Sequence, residues 1–357
     1  MANLVMGGIE EKISDDQLAA SGPSSQHRQA LLFRPKFFQE FSRRSFDHIP
    51  TYLFRLYADC TVGTTSTTEV ASPAWERGYE TIDLFELPPQ EAASCLSAHF
   101  TWRRWHETRC NLMSWSCSLL FVLQHGFRRH YTNELDLADV HLLTLDTRKF
   151  PPGCFARELD LLRDFEDFEE SEVREGKLTW LKGLRGKGMY FGEYVTQEHL
   201  DVAGQCSQTS LKQLNDMGLQ SLCPLLYSKG GWEGLAKRVV EIREDFNAPA
   251  AETDKKDIRI AISMAQACFG SCWALPFAAM LLSLRHREHN SPTIQNGITS
   301  IFTDEEIASL DIDTMKFDPL SDSAPELRQY RNIMLTLGGR ESAVELDKLF
   351  KGLRVNA

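Results

Sequence analysis

Two charged residues in this chain occupy settings where a charge is expensive, and a serine pair lies between them. Arg55 sits inside the aromatic, apolar run Thr51-Tyr-Leu-Phe-Arg-Leu-Tyr57. Ser114-Trp-Ser116 closes a short apolar segment and precedes a helical one. Glu193 lies inside Tyr190-Phe-Gly-Glu-Tyr194. A charge in the middle of an apolar strand costs free energy to bury without a partner. Opposite signs within one module therefore predict a structural ion pair between Arg55 and Glu193. They also suit chemistry. Arginine's planar fork matches phosphate oxygens, and a fixed carboxylate stabilises positive charge that develops in a transition state.

Other motifs fall away on spacing. Gly183-Leu-Arg-Gly-Lys-Gly188 has the look of a phosphate loop. A P-loop needs an earlier glycine separated from the Gly-Lys pair by four residues and a hydroxyl after the pair, and Leu181 and Gly188 stand there. Cys268 and Cys272 have no second pair at zinc spacing, and read as two buried thiols one helical turn apart. His286-Arg-Glu-His289 lacks the i, i+4 spacing of a metalloprotease helix. The carboxylates Glu158, Asp160, Asp164, Glu166, Asp167, Glu169 and Glu170 read as the solvated face of one helix rather than a metal site. No metal site is expected.

The elements that must position Arg55, Ser114, Ser116 and Glu193 are legible as alternating strands and helices. Thr51–Tyr57, Leu112–Ser116, Val140–Asp146 and Met189–Val195 have strand character, aromatic and apolar with turn residues at their borders. Helices are expected from Pro88-Pro89 to about Trp105, because proline suits a first turn. A second is expected over Leu119–His130, where Leu119, Leu120, Leu123 and Phe127 share a face, and a third, acidic one from Ala156 to about Val173. Lys182–Gly188 reads as a loop, and residues 31–48 as a short helix or docking segment. There is no regular βαβ cycle, so the class is α+β. After Tyr227 the pattern turns helical: Trp232, Leu235, Val239, Ile242 and Phe246 recur at helical spacing. Ile260–Leu284 has no charge, yet Gly270-Ser271 and Pro276 break it, so it reads as two buried helices rather than a membrane span. Thr303–Glu306 and Ser323–Glu326 have the pattern of capping boxes, and a last helix is expected over Ser342–Leu353. The layout is a flexible leader at 1–30, a mixed module at 31–227 with its core at 52–224, and a helical domain at 228–357.

Composition narrows the class. The 357 residues carry a formal net charge of −11. A diffuse acidic balance argues against a general nucleic-acid binder and against docking on anionic lipid. Nine scattered cysteines, an odd number, and a start without a secretory pattern point to free thiols in a reducing, intracellular compartment, the cytoplasm.

The order arginine, Ser-x-Ser, glutamate resembles ADP-ribosyltransferases of the cholera-toxin-like type. The resemblance implies two small split sheets with helices and NAD as the substrate. It implies that Arg55 holds the cofactor's phosphate side with Ser116 beside it. Ser114 would order the site and the glutamate, and Glu193 would polarise the nicotinamide ribose and support a cation-like transition state. It also implies that the glycine-rich Lys182–Gly188 stretch is a substrate-recognition loop. Members that modify arginine place Glu or Gln two residues before the catalytic glutamate. Phe191 stands there, which implies NAD hydrolysis or transfer to another acceptor. The alternative is a non-catalytic binding module on the same fold, with Arg55 and Glu193 as an ion pair. The stretch Tyr52–Pro224 also resembles an uncharacterised fungal domain family, on Tyr52–Arg55, Ser114–Leu120 and Tyr190–Tyr194. That likeness implies domain limits and no activity.

Overall fold

The computed structural model describes residues 30–101, 109–169, 177–227, 235–288 and 291–339. The leader, Trp232, His289, the far ends of the first and third expected helices and the expected Ser342–Leu353 helix lie outside them. Nine strands form two antiparallel sheets. They are β1 (Tyr52–Tyr57), β2 (Thr64–Thr65), β3 (Glu69–Ala71), β4 (Leu112–Ser116), β5 (His141–Asp146), β6 (Ala156–Arg157), β7 (Glu193–Gln197), β8 (His199–Asp201) and β9 (Cys206–Ser210). Six make one sheet in the order β6-β7-β4-β1-β5-β9, and the other three make a small sheet in the order β2-β3-β8. The β1 and β4 strands lie side by side at the sheet centre, and β7 pairs with β4 so that Ser116 faces Glu193.

Both faces of the larger sheet are covered, which is why its central strands are apolar at nearly every position. Side chains alternate between the faces. Tyr52, Phe54 and Leu142 pack with Leu119–Phe127 and the helical third. Leu53, Leu143, Leu145 and Trp115 pack on the other side with Val70 and Leu200 of the small sheet.

The charge-free stretch forms the expected hairpin. One helix spans Lys255–Phe269, Gly270 turns at φ +89°, and a second helix covers Ala274–Leu282. Among the described residues no helix is long and apolar enough to cross a membrane. The second helix drives Phe277 against the sheet, with ring centroids 5.9 Å from Tyr52 and 5.8 Å from Phe54. One hydrophobic cluster consequently runs from Tyr52 to Met334. Among the described residues the last strand ends at Ser210 and helices follow from Leu211, so the change in secondary structure comes earlier than the expected Tyr227, and the core crosses that position. Phe277→Ala should cost about 3–5 kcal/mol, the range for emptying a buried aromatic site. Urea unfolding of the full chain measures it.

Several local expectations are corrected. The acidic helix begins at Glu158, because Ala156 and Arg157 pair with β7. Its carboxylates are not a solvated face. Glu158 and Asp160 are buried, and of the six described only Asp167 is exposed. Lys177–Gly186 is a helix, so most of the expected glycine-rich loop is helical. It buries Leu178 and Leu181 and ends where Gly188 takes φ +86°, with Met189 N–H donating back to Leu184. Strand β7 starts only at Glu193, because Gly192 takes φ +62°. Over residues 31–48 the α-helix is confined to Glu40–Ser45. Cys272 is exposed, unlike Cys268. Thr303–Glu306 is a capping box, whereas the helix Pro325–Leu337 has Ala324 at its cap position and its Glu326 is buried.

Candidate functional site

The four residues singled out by type and spacing, Arg55, Ser114, Ser116 and Glu193, line one cleft of about 290 Å³. Its floor is built by β1 and β4. The helix Leu119–Asn133, which starts two residues after β4, closes one side and presents His125 and Arg129. His99, near the end of the helix Pro89–Phe100, closes another.

Arg55 is 8% exposed. Its Nε donates to Thr65 Oγ1 at 3.0 Å and its Nη1 to the Ser114 carbonyl at 3.0 Å. It does not pair with Glu193, so the expected ion pair is not formed. Arg129 donates to Thr61 Oγ1 at 2.8 Å. Among the described residues neither arginine meets a carboxylate. Burial pushes Arg55 down to about 10, and the charge of Arg129 adds to the fall. Arg55 and Arg129 thus face one space, and the carboxylate that shares it, Glu193, pairs with neither.

Glu193 is held elsewhere. Arg185 Nη2 donates to Glu193 Oε2 at 2.6 Å and to Glu158 Oε1 at 2.6 Å, and its Nε donates to Glu158 Oε2 at 2.9 Å. The Glu193 side chain keeps 18% of its surface exposed, while Glu158 keeps none. Burial pushes the Glu193 carboxyl up to about 8; Glu158 adds to the rise and Arg185 opposes it. Two carboxyls around one guanidinium share its charge, so Arg185 only partly offsets the burial of Glu193.

The serines have other partners than the resemblance implies. Ser114 is exposed in the cleft, and its Oγ lies 2.8 Å from His99 Nε2. Ser116 is buried; its Oγ donates to the Phe191 carbonyl at 2.7 Å and accepts from Ser118 N–H at 3.0 Å. The residue that orders Glu193 is therefore Arg185. Burial pushes His99 down to about 4, with Arg55 adding to the fall, and His125 to about 3, with Arg129 and Arg128 adding. Both are neutral imidazoles at neutral pH. Burial also pushes the Cys110 thiol up to about 11, so it is no thiolate nucleophile. Among the described residues Glu193 is the single carboxylate lining the cleft. No group of metal-ligating side chains occurs among the described residues.

Residues 48–182 match a domain of unknown function (DUF7587). That span takes in Arg55, Ser114 and Ser116, and it stops short of Arg185 and Glu193. An uncharacterised domain is what the Tyr-Leu-Phe-Arg and Ser-Trp-Ser pattern implies, with a limit nearer than Pro224. No curated protein and no solved structure matches the chain.

Phe191 is buried and does not line the cleft. It stacks on Phe121 with ring centroids 4.7 Å apart, and the guanidinium groups of Arg185 and Arg243 lie 5.5 and 5.3 Å from its centroid. The turn that separates it from Glu193 depends on Gly192, whose φ is +62° and where an added Cβ would meet Cys117 Sγ at 2.2 Å. Gly192→Ala should cost about 1–3 kcal/mol from backbone strain alone. A thermal melt set beside that of Gly186→Ala, a glycine in open space, checks it.

Arg129, Arg185, Glu158 and His99 were not singled out from the sequence. Arg185 and Glu158 stand in segments read there as a loop and a solvated face. Arg129 and His99 carry no motif.

Proposed function

We propose that the cleft cleaves the bond between nicotinamide and ribose in NAD, on an ADP-ribosyltransferase-like arrangement of the two sheets. The observation that carries this is the convergence of Arg55, Ser114 and Glu193 on one cleft. Their order along the chain matches that enzyme type. The reading assigns the dinucleotide's phosphates to Arg55 and Arg129. It assigns the ribose, as its C1′ gains positive charge, to Glu193. The fixed Arg185 and Glu158 let Glu193 meet that charge without reorganising. Ser114 and the neutral His99 offer a hydrogen-bonding edge between the two ends. Phe191 belongs to the core, which leaves no carboxamide or carboxylate two residues ahead of Glu193 to engage an arginine acceptor. The products are then nicotinamide and either free ADP-ribose or ADP-ribose on another acceptor.

The uncompensated arginines equally suit a non-catalytic module for a phosphorylated ligand, in which Glu193 has no chemical role. Purified full-length protein incubated with NAD separates the two, with nicotinamide measured by chromatography. Nicotinamide release that rises linearly with protein concentration is expected. Binding of NAD without release leaves the module reading.

A further inference from the structure

The helical third reaches into the backbone that carries Glu193. Between the helix ending at Gly186 and strand β7, residues 188–192 form no ladder of their own. Each of their five carbonyls is nevertheless taken. Arg243 Nη1 donates to the Gly188 and Tyr190 carbonyls at 3.3 and 2.6 Å. Arg185 donates to Met189, Ser116 Oγ to Phe191, and Cys117 N–H to Gly192. The two tyrosines near Glu193 converge on one carboxylate: Tyr190 and Tyr194 donate their hydroxyls to Asp318 Oδ2 at 2.6 and 2.7 Å. Asp318 is 4% exposed and meets no cation among the described residues.

Arg243 is itself clamped. Glu326 accepts from its Nε at 3.0 Å and its Nη2 at 2.6 Å. The same Glu326 accepts from Ser118 Oγ at 2.7 Å, and Ser118 caps the helix that carries His125 and Arg129. Three charged residues of the helical third thus tie the Glu193 segment and the arginine wall of the cleft to each other. A buried carboxylate held by two hydroxyls, the Cys117 thiol and the Leu320 N–H, with no cation among the described residues, is a costly way to stabilise a fold that hydrophobic contacts already hold. It is an effective way to hold a short irregular segment in one place, because each of its five carbonyls is committed.

We propose that Arg243, Asp318 and Glu326 are positioning residues that hold Glu193 in place from the helical third. The inference rests on the role given to Glu193 above. It makes the helical third part of the site, and predicts that loosening the clamp lets water reach Glu193.

The charged groups facing Glu193 are Glu158 and Arg185; Tyr190→Phe and Tyr194→Phe alter no charge, and Asp318→Asn removes one that does not face Glu193. The test is the double variant Tyr190→Phe, Tyr194→Phe in the full chain, with Asp318→Asn added in a second protein so that no carboxylate is stranded. Carbon-13 NMR of the Glu193 carboxyl follows its titration whether or not the protein turns over NAD. In the variants the midpoint is expected to fall by at least one pH unit toward an ordinary carboxylate, with the far-ultraviolet spectrum unchanged. An unchanged midpoint in both folded variants overturns the proposal. Where the wild type releases nicotinamide, kcat is expected to drop at least tenfold in the double variant with KM for NAD within twofold. An unchanged kcat again overturns it. A wild type without turnover removes the NAD reading alone, and the titration still decides the positioning.

Discussion

Glu193→Gln is expected to lower kcat for nicotinamide release at least 100-fold while leaving KM for NAD within about threefold. The size follows from loss of one preorganised group that meets charge developing only in the transition state. The carboxamide keeps the shape and an acceptor oxygen for Arg185. It lacks the negative charge that a cation-like ribose requires. Steady-state nicotinamide release measures the effect, and a Glu193→Gln protein with wild-type kcat would sink the assignment.

The same residue sets an expected pH profile. Its carboxyl titrates near 8 because burial and Glu158 oppose ionisation more than Arg185 assists it. The ionised form is the useful one. The wild-type kcat/KM should therefore rise with pH and level off above about 8, since this parameter reports the free enzyme. The sign for stability is opposite. A carboxyl whose folded value is raised contributes stability fully below the unfolded value, and loses it as pH climbs through the folded one. Wild type should thus lose stability relative to Glu193→Gln between about pH 5 and pH 8. Paired denaturation curves across that range test it.

Removing both cleft arginines is the second large expected effect. Each hydrogen bond to a charged group contributes about 1.5–3 kcal/mol, so Arg129→Ala should raise KM for NAD about tenfold with kcat little changed. The effect of Arg55→Ala should be greater, because its guanidinium also braces the Ser114 carbonyl and Thr65. Lysine should not restore it, since an ammonium cannot reproduce the planar fork. A readout free of turnover is also available. A ligand that binds only the folded state raises the melting temperature. Inorganic pyrophosphate should stabilise wild type and leave the Arg55→Ala, Arg129→Ala double variant unmoved. Equal shifts in both proteins would show that the anion binds elsewhere.

Much of the scaffold was legible in local pattern. The strands expected over Thr51–Tyr57, Leu112–Ser116 and Val140–Asp146 form within a residue of those limits, because both faces of the sheet are largely covered and most positions there are apolar. The hairpin over Ile260–Leu284 was legible from one glycine turn between two charge-free segments. Strands β2, β3, β8 and β9 were not. They are short or rich in Thr, Ser and Gln, and their pairing is decided by neighbours rather than by their own composition. Glu326 illustrates the same limit. Its pattern matches a capping box, yet a buried arginine 83 residues away takes both of its oxygens.

The sequence by itself determined which strands carry Arg55, Ser114 and Ser116, that Glu193 stands at a strand rather than in a helix, and that helices follow the strands, although they begin at Leu211 rather than after Tyr227. Tertiary structure alone decided that these residues share a cleft. It also decided that Glu193 answers to Arg185 and Glu158 instead of Arg55, and that the helical third grips the segment next to it. The physical reason is range. Periodicity reports the face on which a residue is buried, which its near neighbours dictate. The partner of a buried charge is chosen by whichever element the fold brings alongside, here across 27 residues for Arg185 and Glu158 and 83 for Arg243 and Glu326.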